Sequence, residues 1–217
     1  MKSSGRVKQT VPKARQVIHD GVVYMSSYAV AFDEMEDPNL ARLPDAIRAR
    51  VPALHEELAT RPEQATPEII ALIERYPRVP LFANFLTAAH AQAGDLPASE
   101  QAAQEAYRQH PEDLFARVNY ADLLRRKGDQ ARVAEVFDHK FDLPQLYPKR
   151  RTFHASEFAT FTGVIGLYLC DTGKREVAKQ LHAVMNQLVP EHPASELLGS
   201  ELLPRTFKRL FGWRLRR

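Results

Sequence analysis

Residues 80–129 read PLFANFLTAAHAQAGDLPASEQAAQEAYRQHPEDLFARVNYADLLRRKGD, and within them Gly94-Asp95 returns as Gly128-Asp129, 34 residues later. Each glycine closes one apolar helical stretch and opens the next, so the repeating unit is a helix-turn-helix. One such pair cannot bury its own apolar face and must stack on its neighbours, which predicts an array of units. A third turn, Gly173, lies 45 residues after Gly128, an excess of 11 over one period. The extra length falls at residues 141–154, where Asp142-Leu143-Pro144 and Tyr147-Pro148-Lys149-Arg150-Arg151 break helix.

Spacing inside the units agrees with their period. Gly94 to Pro111 and Gly173 to Pro190 are both 17 residues, and Gly128 to Pro144 is 16. Glycine permits the tight turn, and proline ends the second helix because it cannot continue the hydrogen-bond ladder. The first unit covers residues 80–113, with Leu81, Phe85, Leu86, Ala89 and Ala93 on the inward stripe and a second helix from near Pro97 to His110-Pro111. The second covers about 114–147 through Phe115, Val118, Leu123, Leu124, Val133, Val136 and Phe137. The third covers about 159–192 through Phe161, Val164, Ile165, Tyr168 and Leu169, then Val177, Leu181, Val184 and Leu188.

Upstream, Leu43, Ile47, Val51, Leu54 and Leu58 recur at helical spacing, although Pro52 should kink or split that segment. Thr66-Pro67-Glu68 carries the signature of a helix start, and Tyr76-Pro77 a stop. Residues 44–79 therefore read as a degenerate capping hairpin, and 44–199 as the array. In the extension 16–43, Val22-Val23-Tyr24 reads as a strand beside the turn signal His19-Asp20-Gly21, a hairpin that would need to lie against the helices. Residues 1–15 lack periodicity and are expected to be disordered.

The chain of 217 residues is 44% hydrophobic and 26% charged, an ordinary globular composition without a run long enough to cross a membrane. Met1-Lys2-Ser3-Ser4-Gly5-Arg6 is basic, and no apolar block follows that would make a secretory signal. Cys170 is the single cysteine, which points to a reducing compartment and a cytoplasmic address. The net charge of +3 conceals an acidic body with basic ends. Residues 1–15 carry five bases and no acid; residues 201–217 carry six bases against Glu201.

At the turns and stripes quoted above, the chain resembles the tetratricopeptide repeat (TPR) family over roughly 80–192. Ile165-Gly166, Leu169, Ala178 and Pro190 match the family pattern in part, as do Tyr120-Ala121, Leu124, Phe137 and Pro144, and Leu86, His90, Ala103 and Pro111. The family's tryptophan is absent, and Val133 and Ser99 stand where it has a small alanine. Tyr76-Pro77-Arg78-Val79-Pro80 and Phe141-Asp142-Leu143 also resemble segments of bacterial repeat proteins of unassigned role. The resemblance implies an all-α, right-handed α-solenoid of TPR-like helix-turn-helix units, whose leading helices line a groove that receives a peptide or protein. The side chains it places there are Asn84, Ala88 and Gln92, then Phe115, Asn119, Asp122 and Arg126, then Thr160, Gly163, Leu167 and Cys170. Asn84 and Asn119 would donate to and accept from a peptide backbone, and Arg126 would clamp a carboxylate; alternatively, Asn119 bonds neighbouring helices and Phe115 is core.

The segment 200–217 reads as a basic amphipathic helix or tail. Leu203, Phe207, Leu210 and Phe211 share one face, flanked by Arg205, Lys208, Arg209 and Arg214, with Trp213 beside them. Two readings stand: a cap that seals the last unit, or an attachment to acidic membrane or nucleic acid through the tails. Lys149-Arg150-Arg151 offers an anion site or a solvated charge run. Enzyme signatures are missing. The eight histidines show no metal spacing, and no phosphate loop or nucleophile elbow occurs. His154-Ala155-Ser156-Glu157 reads as a helix start, with Ser156 or Thr152 near the cap. The expectation is a non-catalytic adaptor without cofactor or metal, of unknown oligomeric state.

Overall fold

The structure, a computed structural model, describes residues 28–203 in full and the backbone of 9–10, 14–17 and 23–26. It is mostly helical with little sheet, as an all-α reading requires, and the described residues form ten α-helices. The chain divides into two compact units: 34–132, and 1–33 together with 133–217.

In the first of these, α1 (Asp45–Thr60), α2 (Pro62–Arg75), α3 (Pro80–Gln92), α4 (Leu96–Gln109) and α5 (Leu114–Arg126) follow one another. Each leading helix touches the next: α1 packs on α3 and α3 on α5, while α2 lies against α1 and α3, and α4 against α3 and α5. The core holds Leu43, Leu54, Leu58, Ile69, Leu72, Val79, Phe82 and Phe85, with Ile47 and Val51 packed on it. The stripe of α1 thus faces inward as its spacing required.

Pro52 does not split α1. It is exposed, so the missing bond to the Arg48 carbonyl falls on the solvent side, while Leu54 and Leu58 hold the helix from beneath. The start of α2 also differs from the expected Thr66. The helix begins at Pro62, and the Thr66 hydroxyl donates to the Pro62 carbonyl (2.9 Å) inside it. Proline suits the first turn, where a backbone N–H would have no helical partner, so Pro62 outcompetes Pro67 as the start.

The turns carry the expected glycines. Gly94, Gly128 and Gly173 adopt left-handed φ values of 77°, 79° and 81°. Asp95 caps α4 by accepting from Ala98 N (3.1 Å), and Asp113 caps α5 by accepting from Ala116 N (2.9 Å).

The second helix of the 114–147 repeat is shorter than its spacing implied. α6 (Gln130–Val136) stops at Val136, and Asp138 and His139 then take φ values of 51° and 57°. Two consecutive left-handed residues cannot continue a right-handed helix. A short α7 (Leu143–Leu146) and strand β5 (Thr152–His154) fill the insertion. Phe137 is fully buried and meets Phe161 edge-on, with centroids 5.4 Å apart.

In the second unit, β4 (Ala29–Ala31) pairs parallel with β5 and antiparallel with β1 (Gln9–Thr10). β2 (Ala14–Val17) and β3 (Val23–Ser26) pair antiparallel in the register Val17 to Val23. β3 includes Val23 and Tyr24 of the expected strand, and the turn at His19-Asp20-Gly21 lies outside the described residues. Gln9–Thr10 and the start of β2 are regular structure within the segment 1–15, which was expected to be disordered. Pairing partners remote in sequence supply what local periodicity could not signal.

α8 (Ala155–Asp171) packs on α9 (Arg175–Leu188), and α10 (Pro193–Leu202) packs on both. A separate helix at 193–202 was not expected. Its signal is His192-Pro193: His192 Nδ1 accepts from Ala194 N (3.2 Å), and Pro193 occupies the first turn. The expected helix over 200–217 is described only to Leu203, and the remainder lies outside the described residues. No helix among the described residues is long and apolar enough to cross a membrane.

Candidate functional site

α3 and α5 bring together most of the residues nominated for recognition. Asn84, on the second turn of α3, donates from Nδ2 to Asp113 Oδ1 (2.8 Å), the same oxygen that caps α5. Asn119, one turn and a half into α5, donates from Nδ2 to Asn84 Oδ1 over a long 3.5 Å. A polar ladder therefore runs Asp113–Asn84–Asn119 between two adjacent helices. All three are half-buried. Asn84 uses both ends of its amide internally, so the expectation that it serves a peptide backbone on both sides is corrected.

Around the ladder, Ala88 and Phe115 are half-buried, and Gln92 and Arg126 are exposed. Phe115 is thus neither core nor fully in solvent. Asp122 receives Arg125 Nη2 at Oδ1 (3.0 Å) and Arg126 Nε at Oδ2 (3.1 Å). The Arg126 guanidinium is therefore already engaged on one side, and a free forked clamp is not what it presents. Its side chain nonetheless remains 46% exposed, so the pair is a solvated one of small energetic weight.

The third strip is covered within its own unit. Residues 161–170 are buried without exception, including Leu167 and Cys170. Gly163 faces α10, where an added Cβ would sit 2.8 Å from Ala194 Cβ. Thr160 is half-buried and its hydroxyl donates to the Ser156 carbonyl (2.6 Å). The physical reason is length: α10 extends the packing of α8 and α9 and covers the face that 159–192 alone would have left open. Gly163, Leu167 and Cys170 are therefore buried rather than presented for recognition, and Thr160 is half-buried.

Several polar groups that looked chemically suggestive hold structure. His154, rather than Ser156 or Thr152, caps α8. Its Nδ1 accepts from Ser156 N (3.2 Å) and lies 2.7 Å from Ser156 Oγ, while Glu157 Oε2 receives His154 N (2.8 Å). Glu157 also holds Arg150 through both oxygens, at 2.8 and 2.7 Å. Arg150 lies over the Phe153 ring, 4.4 Å from its centroid, so of Lys149-Arg150-Arg151 only the outer two are exposed. Burial lowers the His192 pKa below its ordinary value, as the neutral ring required for capping demands. Among the described residues no group of three metal-binding side chains occurs.

Sequence reasoning missed Asp113 and Arg117. Asp113 follows Pro111 and precedes an apolar run, which is a cap signature; its second role with Asn84 needed the neighbouring helix. Arg117 is 4% exposed and donates from Nε to the Pro111 carbonyl (2.6 Å), tying α5 to the preceding loop. Arg205, Lys208, Arg209, Trp213 and Arg214 lie outside the described residues. No family model, no curated protein and no solved structure matches the chain.

Proposed function

We propose that the protein is a non-catalytic adaptor that binds a peptide or protein segment on the face formed by α3 and α5. The observation that carries this reading is the adjacency of the two leading helices around half-exposed Ala88, Phe115 and Asn119, with Gln92 and Arg126 at the exposed edge. Such a face combines an aromatic anchor with polar groups held in place before binding, which lowers the ordering cost of association. Support for TPR-like helix-turn-helix units comes from the stacking of α1–α5 within one unit and from three turn glycines with nearly equal φ. A cytoplasmic, reducing setting accords with the single cysteine, which is buried.

Selection of a random dodecapeptide display library on the wild-type protein tests the reading. Enriched peptides should bind the Phe115→Ala and Asn119→Ala variants at least about tenfold more weakly, the loss expected for one anchor or hydrogen bond of about 1.4 kcal/mol. Undiminished binding to both variants, at wild-type helicity, would reject this face as the site.

A further inference from the structure

A cap on the last repeat would give the apolar residues of 200–217 a place in the core, but α10 already performs that task. It packs on both α8 and α9, and residues 161–170 of α8 are all buried. Leu198 is fully buried, and Gly163 has no room for a Cβ beside Ala194. Both ends of α10 are fastened. Ser195 Oγ donates to the Val189 carbonyl (2.8 Å) near its start, and Arg175 Nη2 donates to the Glu201 carbonyl (3.0 Å) at its end. The helix stops at Leu202. Leu203 is extended (φ −62°, ψ 143°) and precedes Pro204, which cannot continue the hydrogen-bond ladder. Leu203 is 38% exposed and Leu197 is 54% exposed, so the apolar pattern that begins at Leu203 is not needed to seal α8.

Residues 204–217 lie outside the described residues, but their sequence defines their chemistry. Arg205, Lys208, Arg209, Arg214, Arg216 and Arg217 are cations, and no acid occurs in 202–217. Leu203, Phe207, Leu210 and Phe211 recur at the spacing of one helical face, and Trp213 stands beside them. A nucleic-acid backbone would use the cations and leave that apolar face without a counterpart. An anionic bilayer takes both. Its headgroups meet the cations, its acyl boundary buries the apolar face, and tryptophan favours the level between them.

We infer that residues 203–217 attach the protein to an anionic lipid surface. Phe207, Leu210, Phe211 and Trp213 enter the interface, and Arg205, Lys208 and Arg209 pair with acidic headgroups. The attachment begins one residue after a helix fastened at both ends. It is independent of the peptide-binding reading of α3 and α5, and either stands without the other.

The test uses the full chain and the fluorescence of Trp213, its single tryptophan. Vesicles of phosphatidylcholine, with and without about one-third phosphatidylserine, are titrated at low salt, and bound protein is also read by flotation. With the anionic vesicles Trp213 emission should shift to the blue, and binding to the neutral vesicles should be at least about tenfold weaker. Each cation near an acidic surface contributes about fivefold, so the triple variant Arg205→Gln, Lys208→Gln, Arg209→Gln should bind about a hundredfold more weakly. The triple variant Phe207→Ser, Leu210→Ser, Phe211→Ser should bind at least about tenfold more weakly and lose the blue shift. Lys149→Gln with Arg151→Gln, which removes two exposed cations elsewhere, should bind within about twofold of wild type. Urea midpoints should match wild type throughout. A midpoint lowered by the apolar variant would return 204–217 to the core and overturn the inference. So would equal binding to both kinds of vesicle, no binding to the anionic ones, or an equal loss in the Lys149 and Arg151 variant. A single-stranded RNA bound as tightly as the anionic vesicles, and undiminished by the Phe207, Leu210 and Phe211 substitutions, would assign the segment to nucleic acid instead.

Discussion

Replacing Gly163 with alanine should destabilise the protein, and replacing Ala194 with glycine in the same molecule should restore it. Gly163 lies in the interior of α8 and faces α10. An added Cβ would stand 2.8 Å from Ala194 Cβ, whereas carbon atoms in good contact sit about 3.5–4.0 Å apart. The overlap is with an atom fixed to the α10 backbone, so no side-chain rotation relieves it. Overpacking of this kind costs about 1–3 kcal/mol. Against it stands the helix-propensity gain of alanine over glycine, about 0.8–1.0 kcal/mol. The net expectation is a loss of about 0–2 kcal/mol for Gly163→Ala, and a favourable coupling of about 1–3 kcal/mol between the two substitutions. Urea unfolding followed by circular dichroism at four states, wild type, each single variant and the double, measures that coupling. If Gly163→Ala is more stable than wild type by the full propensity gain and the cycle shows no coupling, α10 does not rest on α8 at this point. Gly166 offers an internal comparison. A Cβ there meets the δ carbons of Leu198, which is fully buried and has no open space to swing into.

Two further expectations follow from backbone geometry and capping. Gly94→Ala meets open space but must adopt φ +77°, which costs about 1–2 kcal/mol; an unchanged urea midpoint would refute the left-handed turn. The second concerns acid. His192 Nδ1 caps α10 only as a neutral ring, and burial holds its folded pKa below the ordinary 6.5. A depressed folded pKa contributes stability that is present above 6.5 and lost as pH falls through the folded value. The His192→Asn variant, which caps without titrating, should remove a loss of about 1 kcal/mol from the acid limb of the stability profile. Parallel acid limbs for the two proteins, from paired urea titrations across pH 7 to 5, would show that His192 does not titrate against the cap.

The leading helices were legible because their determinants are local. Gly94, Gly128 and Gly173 mark turns that no other residue type enters cheaply, and the stripe Leu54–Leu58 sits at helical spacing whatever it packs against. Asp95 is placed where a helix start exposes N–H groups. Proline was the weak signal. Pro52, Pro62 and Pro67 all forbid the same bond, and choosing which one starts a helix depends on burial around it. The residues nominated for recognition divided along the same line. Asn84 and Asn119, 35 residues apart, meet because the repeat sets α3 beside α5. The Asn84 bond to Asp113 depends on a neighbouring helix end.

The amino-acid order alone determined the helical pairs, their glycine turns and the register that sets α3 beside α5, since each follows from periodicity and backbone sterics within a few residues. Tertiary packing decided the rest. It laid the helix at 193–202 on α8, joined a strand at 29–31 to one at 152–154, and tied two asparagines expected as exposed contacts into hydrogen bonds between helices. Those outcomes depend on partners far away along the chain, whose proximity no local pattern encodes.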